Sequence, residues 1–238
     1  MANLKVNTVS GIGTEGPVLD GGLKFRSLNY MTLPNGDTIQ RGRGRGVWGG
    51  GTDGTSIATI QYAELSSQGN TIDFGDLATV NDTVAAVSSS TRICFGGGRE
   101  PSIVNRIQFV EIATTSNATD FGDLTVARTF HPACSNNTRG VFGSGSTPSV
   151  NVTIDFITIA TTGDSTDFGD LTVARQTCGA CSNTLRGVFG GGNTAPAKIN
   201  VIDFIEIATT GNANDFGDML SIIGTAAASS DSHGGLTE

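Results

Sequence analysis

One phrase is written into this chain four times. Gly46-Val-Trp-Gly-Gly-Gly51 returns as Ile93-Cys-Phe-Gly-Gly-Gly98, as Gly140-Val-Phe-Gly-Ser-Gly145 and as Gly187-Val-Phe-Gly-Gly-Gly192. Its aromatic members Trp48, Phe95, Phe142 and Phe189 are each 47 residues apart. A second phrase, Asp-Phe-Gly-Asp, begins at Asp73, Asp120, Asp167 and Asp215, with one extra residue before the last copy. Self-similarity at a period of about 40–50 residues marks a propeller, a solenoid or an array, and it outranks any element-by-element reading.

Within the repeat the hydrophobic period is 2. Ile202, Phe204 and Glu206 share one face of a strand, and Asp203, Ile205 and Ile207 share the other; Ile107–Ile112 and Ile154–Ile159 repeat the pattern. Apolar residues on both faces imply a strand covered on both sides, as when sheets stack face to face. The intervening segments are rich in the turn-formers Gly, Asn, Thr and Asp, and no stretch carries a helical period. In the third copy the expected strands are Gly140–Gly143, Val152–Ile159, a short edge at Thr166–Gly169, and Gly179–Asn183. Four short strands in about 47 residues make one propeller blade, whereas a solenoid coil is usually about half that length. The phase of the repeat puts Ala226–Ser230 in the slot of a first strand, so it is expected to complete the N-terminal blade and close a ring without an open edge.

Composition narrows the function classes. Gly supplies 34 of 238 residues and charged residues only 15%, which suits an all-β scaffold better than a typical enzyme. The net charge of −8 argues against nucleic-acid binding, which needs a basic stripe. No apolar run reaches the roughly 18 residues of a membrane span, and the opening residues lack a signal-peptide core. The chain is therefore expected to be made in a cytosol and to leave, if it does, by a route such as host lysis.

Several chemical motifs lose their meaning inside the repeat. Gly44-Arg-Gly-Val-Trp-Gly49 matches a dinucleotide fingerprint but no helix follows it. Asp-Phe-Gly, present four times, is expected to form a turn in which Asp caps amides and Gly takes positive φ. Cys178 and Cys181 form a CxxC with no second ligand pair, and the better reading of all four cysteines is that of small buried hydrophobes. Arg45, Arg92, Arg139 and Arg186 recur every 47 residues and are expected to bridge blades by pairing with the Asp-rich turns, with Arg128 and Arg175 as a second such set. Asp164, Asp167 and Asp170 are spaced in a way that could suit Ca²⁺ but lack a dense ligand ladder. No catalytic residue, metal site or cofactor is expected.

Arg128, then Ala133-Cys-Ser-Asn136, then Gly-Val-Phe-Gly resembles the kelch motif: an Arg, small residues, an aromatic and glycines. The likeness covers roughly residues 41–235, although Asp-Phe-Gly stands where that family places its Trp. The wording of the repeats, and the leader Leu28–Gly36, are similar to kelch-like structural proteins of marine tailed phages, of the cyanophage and pelagiphage type. That resemblance implies a non-enzymatic virion component of a tail fibre, tail tip or capsid surface, homo-oligomeric in the particle and without cofactors. The chain then divides into an N-terminal β-arm, residues 1–40, and a four-blade propeller, residues 41–238. The arm would attach to other virion proteins by strand pairing, with Phe25, Leu28, Tyr30 and Met31 as its apolar anchors.

The loops that differ most between copies are Thr52–Ile57, Arg99–Val104, Ser146–Val150 and Asn193–Ala197. Their polar residues Arg99, Glu100, Thr147, Ser149, Asn193 and Thr194 are the candidate contacts to a host-surface glycan or protein. Two alternatives remain open at this point: a cement protein with no ligand, and a propeller glycan hydrolase or lyase. The last would require a catalytic pair that breaks the repeat at one place, and no copy shows one.

Overall fold

The computed structural model describes residues 44–230, together with a two-residue strand pair, β1 (Val18–Leu19) and β2 (Leu23–Lys24). The anchor residues Phe25, Leu28, Tyr30 and Met31 and the expected boundary near residue 40 lie outside the described residues. The described chain is all-β and forms a four-blade β-propeller of antiparallel sheets. Blade 1 holds β3 (Arg45–Gly49), β4 (Thr59–Glu64) and β5 (Ile72–Asp76). Blade 2 holds β6 (Ala85–Ser88), β7 (Arg92–Gly96), β10 (Arg106–Glu111) and β11 (Thr119–Asp123), with a hairpin of β8 (Arg99–Glu100) and β9 (Ser102–Ile103) in its loop. Blade 3 holds β12 (Ala133–Ser135), β13 (Arg139–Gly143), β14 (Asn151–Thr158) and β15 (Thr166–Arg175). Blade 4 holds β16 (Gly179–Ser182), β17 (Arg186–Gly190), β18 (Ile199–Glu206) and β19 (Asn214–Ile223).

The hydrophobic core lies between blades, in three separate clusters. Ile60, Phe74 and Leu77 of blade 1 meet Phe95, Val110 and Ile112 of blade 2. Ile107, Phe121 and Leu124 of blade 2 meet Phe142, Ile157 and Ile159 of blade 3. Ile154, Phe168 and Leu171 of blade 3 meet Phe189, Ile205 and Ile207 of blade 4. These are the same six positions advanced by one period, which explains the two-faced apolar pattern of the third strands. The repeated aromatic packs against a glycine of the blade before it. A Cβ added at Gly49, Gly96 or Gly143 would come within 2.8, 2.9 and 2.8 Å of the ring of Phe95, Phe142 and Phe189.

Asp-Phe-Gly-Asp does not form a turn. It lies inside the outer strand of each blade, where Gly75, Gly122, Gly169 and Gly217 take φ of 145°, 144°, 140° and 133°. The ladder slips opposite that glycine, between Ile60 and Gln61 in blade 1 and at the equivalent places in the others. The phrase is therefore a β-bulge, a device that bends and twists an edge strand. Gly is required twice over at Gly75, Gly122 and Gly169, because a Cβ there would also sit 2.4–2.5 Å from a carbonyl of the next blade.

Among the described residues the expected ring closure is not made. Ala226–Ser230 does occupy a first-strand slot, but beside blade 4: Ser230 Oγ donates to Ser182 O at 2.6 Å, just as Ser182 Oγ donates to Ser135 O and Ser135 Oγ to Ser88 O. Among the described residues blade 1 has three strands, with β3 at its inner edge. The seam between blade 4 and blade 1 is therefore open among the described residues, with Trp48 and Phe216 each 54% exposed.

Candidate binding faces of the propeller

Antiparallel order sorts the connections onto two faces. Turns after the first and third strands of each blade emerge on one face; loops after the second strand, and the linkers to the next blade, emerge on the other. The four variable loops thus share a face, as their common place in the repeat requires. Each is closed by its own bridge, at Thr52–Ser56, Ser146–Val150, Asn193–Lys198 and in the β8–β9 hairpin.

The candidate contact residues fare differently there. Arg99 is exposed and pairs with Asp82 at 2.9 Å, and this guanidinium holds the Asp82 carboxyl below its ordinary range. Glu100 is half-buried against Arg106, which donates to both its oxygens at 3.0 and 3.1 Å. Asn193 accepts from Ala195 N, and Thr194 donates to Ala197 O. Thr147 is half-buried, whereas Ser149, Pro148, Pro196 and Lys198 project freely. Ser149 and Arg99 are therefore the accessible pair among the six, while Glu100, Asn193 and Thr194 hold their own loops in shape.

A concavity of about 380 Å³ opens on the opposite face, among the first strands of successive blades. The ends of the first strands line it: Ser88–Ser90, Ser135–Asn137, Cys181–Ser182 and Ser229–Ser230. Sequence reading passed over this site although its signal was present, in serines at 88, 135 and 182 with the same 47-residue spacing.

The repeated arginines are structural, by a route different from the expected one. Arg45, Arg92, Arg139 and Arg186 do not reach the Asp-rich bulges; each stacks on the aromatic ring of its own third strand at 4.4–4.7 Å. Arg45, Arg92 and Arg186 also pair with Glu64, Glu111 and Glu206 of their own blade. Arg45, Arg92 and Arg139 then cross to the next blade and donate to the carbonyls of Ile112, Ile159 and Ile207. The carboxylate bridges between blades belong to Arg128–Asp155 and Arg175–Asp203, whose side chains are all fully buried. Both aspartates also accept from a threonine of the preceding blade, Thr125 and Thr172. One period earlier Asn81 stands in the arginine slot and Gln108 in the aspartate slot, and Gln108 accepts from Ala78 N at 2.7 Å. Charge is thus present as a pair or absent as a pair.

Asp164, the cysteines and His131 have structural surroundings. Asp164, considered for Ca²⁺, accepts from Asp123 N, and among the described residues no three His, Cys, Asp or Glu side chains converge. All four cysteines are free; burial pushes the thiols of Cys94 and Cys134 up to about 12. His131 is buried against Phe142, its rings 6.0 Å apart. Burial, reinforced by the nearby Arg128 cation, drives its imidazole down to about 3. His131 is therefore neutral at pH 7 and packs as an aromatic spacer.

These features define a β-propeller whose polar repeat is spent on joining blades, with two concave or loop-bearing faces left for recognition. No protein-family model matches the chain, and no curated protein matches it.

Proposed function

We propose that the chain is a non-enzymatic structural subunit of a tailed-phage virion, a tail-fibre, tail-tip or capsid-surface component that presents the propeller for attachment to a host-surface glycan or protein. The observation that carries this reading is where the four blades differ. Their cores, bulges and arginine stacks repeat, while Thr52–Ile57, Arg99–Val104, Ser146–Val150 and Asn193–Ala197 diverge together on one face. Loops on a rigid scaffold are the usual site of recognition. The phage assignment rests on the resemblance of the repeat wording and leader. Attachment to the particle falls to residues 1–40, through strand pairing and the apolar side chains Phe25, Leu28, Tyr30 and Met31.

The test uses labelled full-length protein on bacterial cells of candidate hosts, beside a variant with Arg99→Ala and Ser149→Ala. Saturable binding that the double variant weakens supports the reading, and equal binding by both overturns the loop-face assignment. Deleting residues 1–40 should leave the propeller folded but absent from purified particles; normal incorporation sinks the anchor. A cement role without ligand is the second reading. It is favoured by the internal bonding of Glu100, Asn193 and Thr194, and would show as incorporation into particles with no cell binding.

A further inference from the structure

Four blades of this kind should share four seams, and the described chain fills three. The half-cores of the fourth are present and exposed. On blade 4, Phe216 is 54% exposed where Phe74, Phe121 and Phe168 are 2–3% exposed. On blade 1, Trp48 is 54% exposed where Phe95, Phe142 and Phe189 are 0–2%, and Leu65 is 69% exposed where Ile112, Ile159 and Ile207 are 0–7%. The seat for the missing aromatic also exists. An apolar cavity of about 180 Å³ on blade 4 is lined by Cys181, Val188, Gly190, Ile202, Met219 and Ala228. Gly190 holds the place of Gly49, Gly96 and Gly143, yet among the described residues no ring lies on it; its nearest described neighbour is the Met219 methyl, 3.2 Å from an added Cβ.

The polar half-contacts match as well. Asn117, Asp164 and Asn212 each accept from a bulge amide of the preceding blade, at Asp76, Asp123 and Asp170. Their counterpart in blade 1 is Asn70, and the matching amide in blade 4 is Asp218 N. Arg186, in the slot from which Arg45, Arg92 and Arg139 reach the next blade, has no carbonyl partner across a seam among the described residues. The counterpart of their acceptors is Leu65 O. Finally, Ile223 occupies the slot of Arg128 and Arg175, and Gln61 the slot of Asp155 and Asp203. An uncharged pair faces an uncharged pair, as at Asn81 and Gln108.

We propose that a second copy of this chain fills the open seam: blade 1 of one protomer packs on blade 4 of its partner, twice over, to close an eight-blade ring. Two copies contribute eight blades, within the range of typically four to eight at which propellers close. The two seams of such a ring are identical and lie across the ring from each other, and once one has formed the second closes as an intramolecular event at high effective concentration. Each partner also supplies a missing strand. By the register of Ser135 with Gly140 and Ala133 with Phe142, Ser230 of one copy lies opposite Gly46 of the other, and Ala228 opposite Trp48. Blade 1 thereby gains its fourth strand from the partner, by β-strand addition.

Trp48 is the only tryptophan, so the seam carries its own reporter. Full-length protein should sediment as a dimer with blue-shifted tryptophan emission, and dilution should shift both towards monomer together. Gly190→Val fills the seat and should abolish the dimer and red-shift the emission while leaving the far-ultraviolet β spectrum unchanged. Trp48→Phe, which restores the residue of the other three slots, should keep the dimer. A monomer at all concentrations overturns the proposal, whether Trp48 emits red, as in an open arc, or blue, as when residues of the same chain cover it. A trimer or an open filament overturns it equally, and so does a Gly190→Val chain that still dimerises.

Discussion

The buried Arg128–Asp155 pair offers the sharpest test of how the blades are joined, because the chain itself contains the neutral replacement. Arg128 and Asp155 are both fully buried, and the guanidinium also donates to Thr153 O at 2.7 Å. Asp155→Gln leaves a desolvated cation without its carboxylate, and Arg128→Asn leaves a desolvated carboxylate whose remaining donors are the amide and hydroxyl of Thr125. Breaking a buried pair from one side costs about 3–5 kcal/mol. In a domain of this size that lowers the Tm by roughly 6–20 °C, at about 2–4 °C per kcal/mol. The double variant rebuilds the seam between blades 1 and 2, where Asn81 donates to Gly97 O at 2.9 Å and Gln108 accepts from Ala78 N. It should recover most of the loss and show a coupling energy of about 2–3 kcal/mol. Urea unfolding of the four proteins in a double-mutant cycle gives the answer. Additive losses, or single variants costing under about 1 kcal/mol, would mean that the pair is not the device that joins these blades.

Phe142→Ala and Phe189→Ala, each removing a ring with no exposure, should each cost about 3–5 kcal/mol in urea unfolding; unchanged melts would contradict the inter-blade core. Gly143→Ala, which drives a Cβ to 2.8 Å from the Phe189 ring, should cost about 1–3 kcal/mol by overpacking, whereas Gly190→Ala, which meets only a flexible methionine, should change monomer stability little. His131 titrates near 6.5 when unfolded and at about 3 when folded, so between those values the unfolded chain binds the extra proton. Stability is then full above pH 6.5 and falls with pH at up to about 1.4 kcal/mol per unit, a loss of about 2 kcal/mol at pH 5. His131→Val, which copies Val84 one period earlier, should flatten that slope in thermal melts taken across pH 4–7, and an unchanged slope would assign it to other groups.

Much of this architecture could be read from two positions per repeat. The aromatic at 48, 95, 142 and 189 and the glycine one residue later fix blade length, strand content and the inter-blade core, because one packs on the other across the seam. The Asp-Phe-Gly phrase was misread as a turn because a β-bulge and a turn ask for the same glycine, and only the outer-strand register separates them. Arg128 and Asp155 are 27 residues apart and present in two copies of four, so neither period nor spacing pairs them. Ring closure was out of reach for a different reason: the phase of the ends says which first-strand slot Ala226–Ser230 fills, but not whether blade 1 of the same chain stands beside it. Of the candidate contacts, Ser149 and Arg99 are accessible, while Glu100 is held by Arg106 at the start of β10, a partner six residues away that no repeat spacing announces.

Every core cluster in the described chain belongs to two blades and none to one, and this governs how the molecule comes apart. A blade alone has nothing to bury, so the smallest unit able to fold is a pair of neighbours, as in repeat arrays where stability resides in interfaces. Blades 2 and 3 are clamped from both sides and blades 1 and 4 from one side each. Amide exchange should therefore be slowest in β7, β10, β13 and β14 and faster in β3–β5 and in β19, a gradient of local opening from the ends inward. Sealing the remaining seam would remove that gradient, so the exchange rates of the outer blades should fall with rising protein concentration while those of blades 2 and 3 stay fixed.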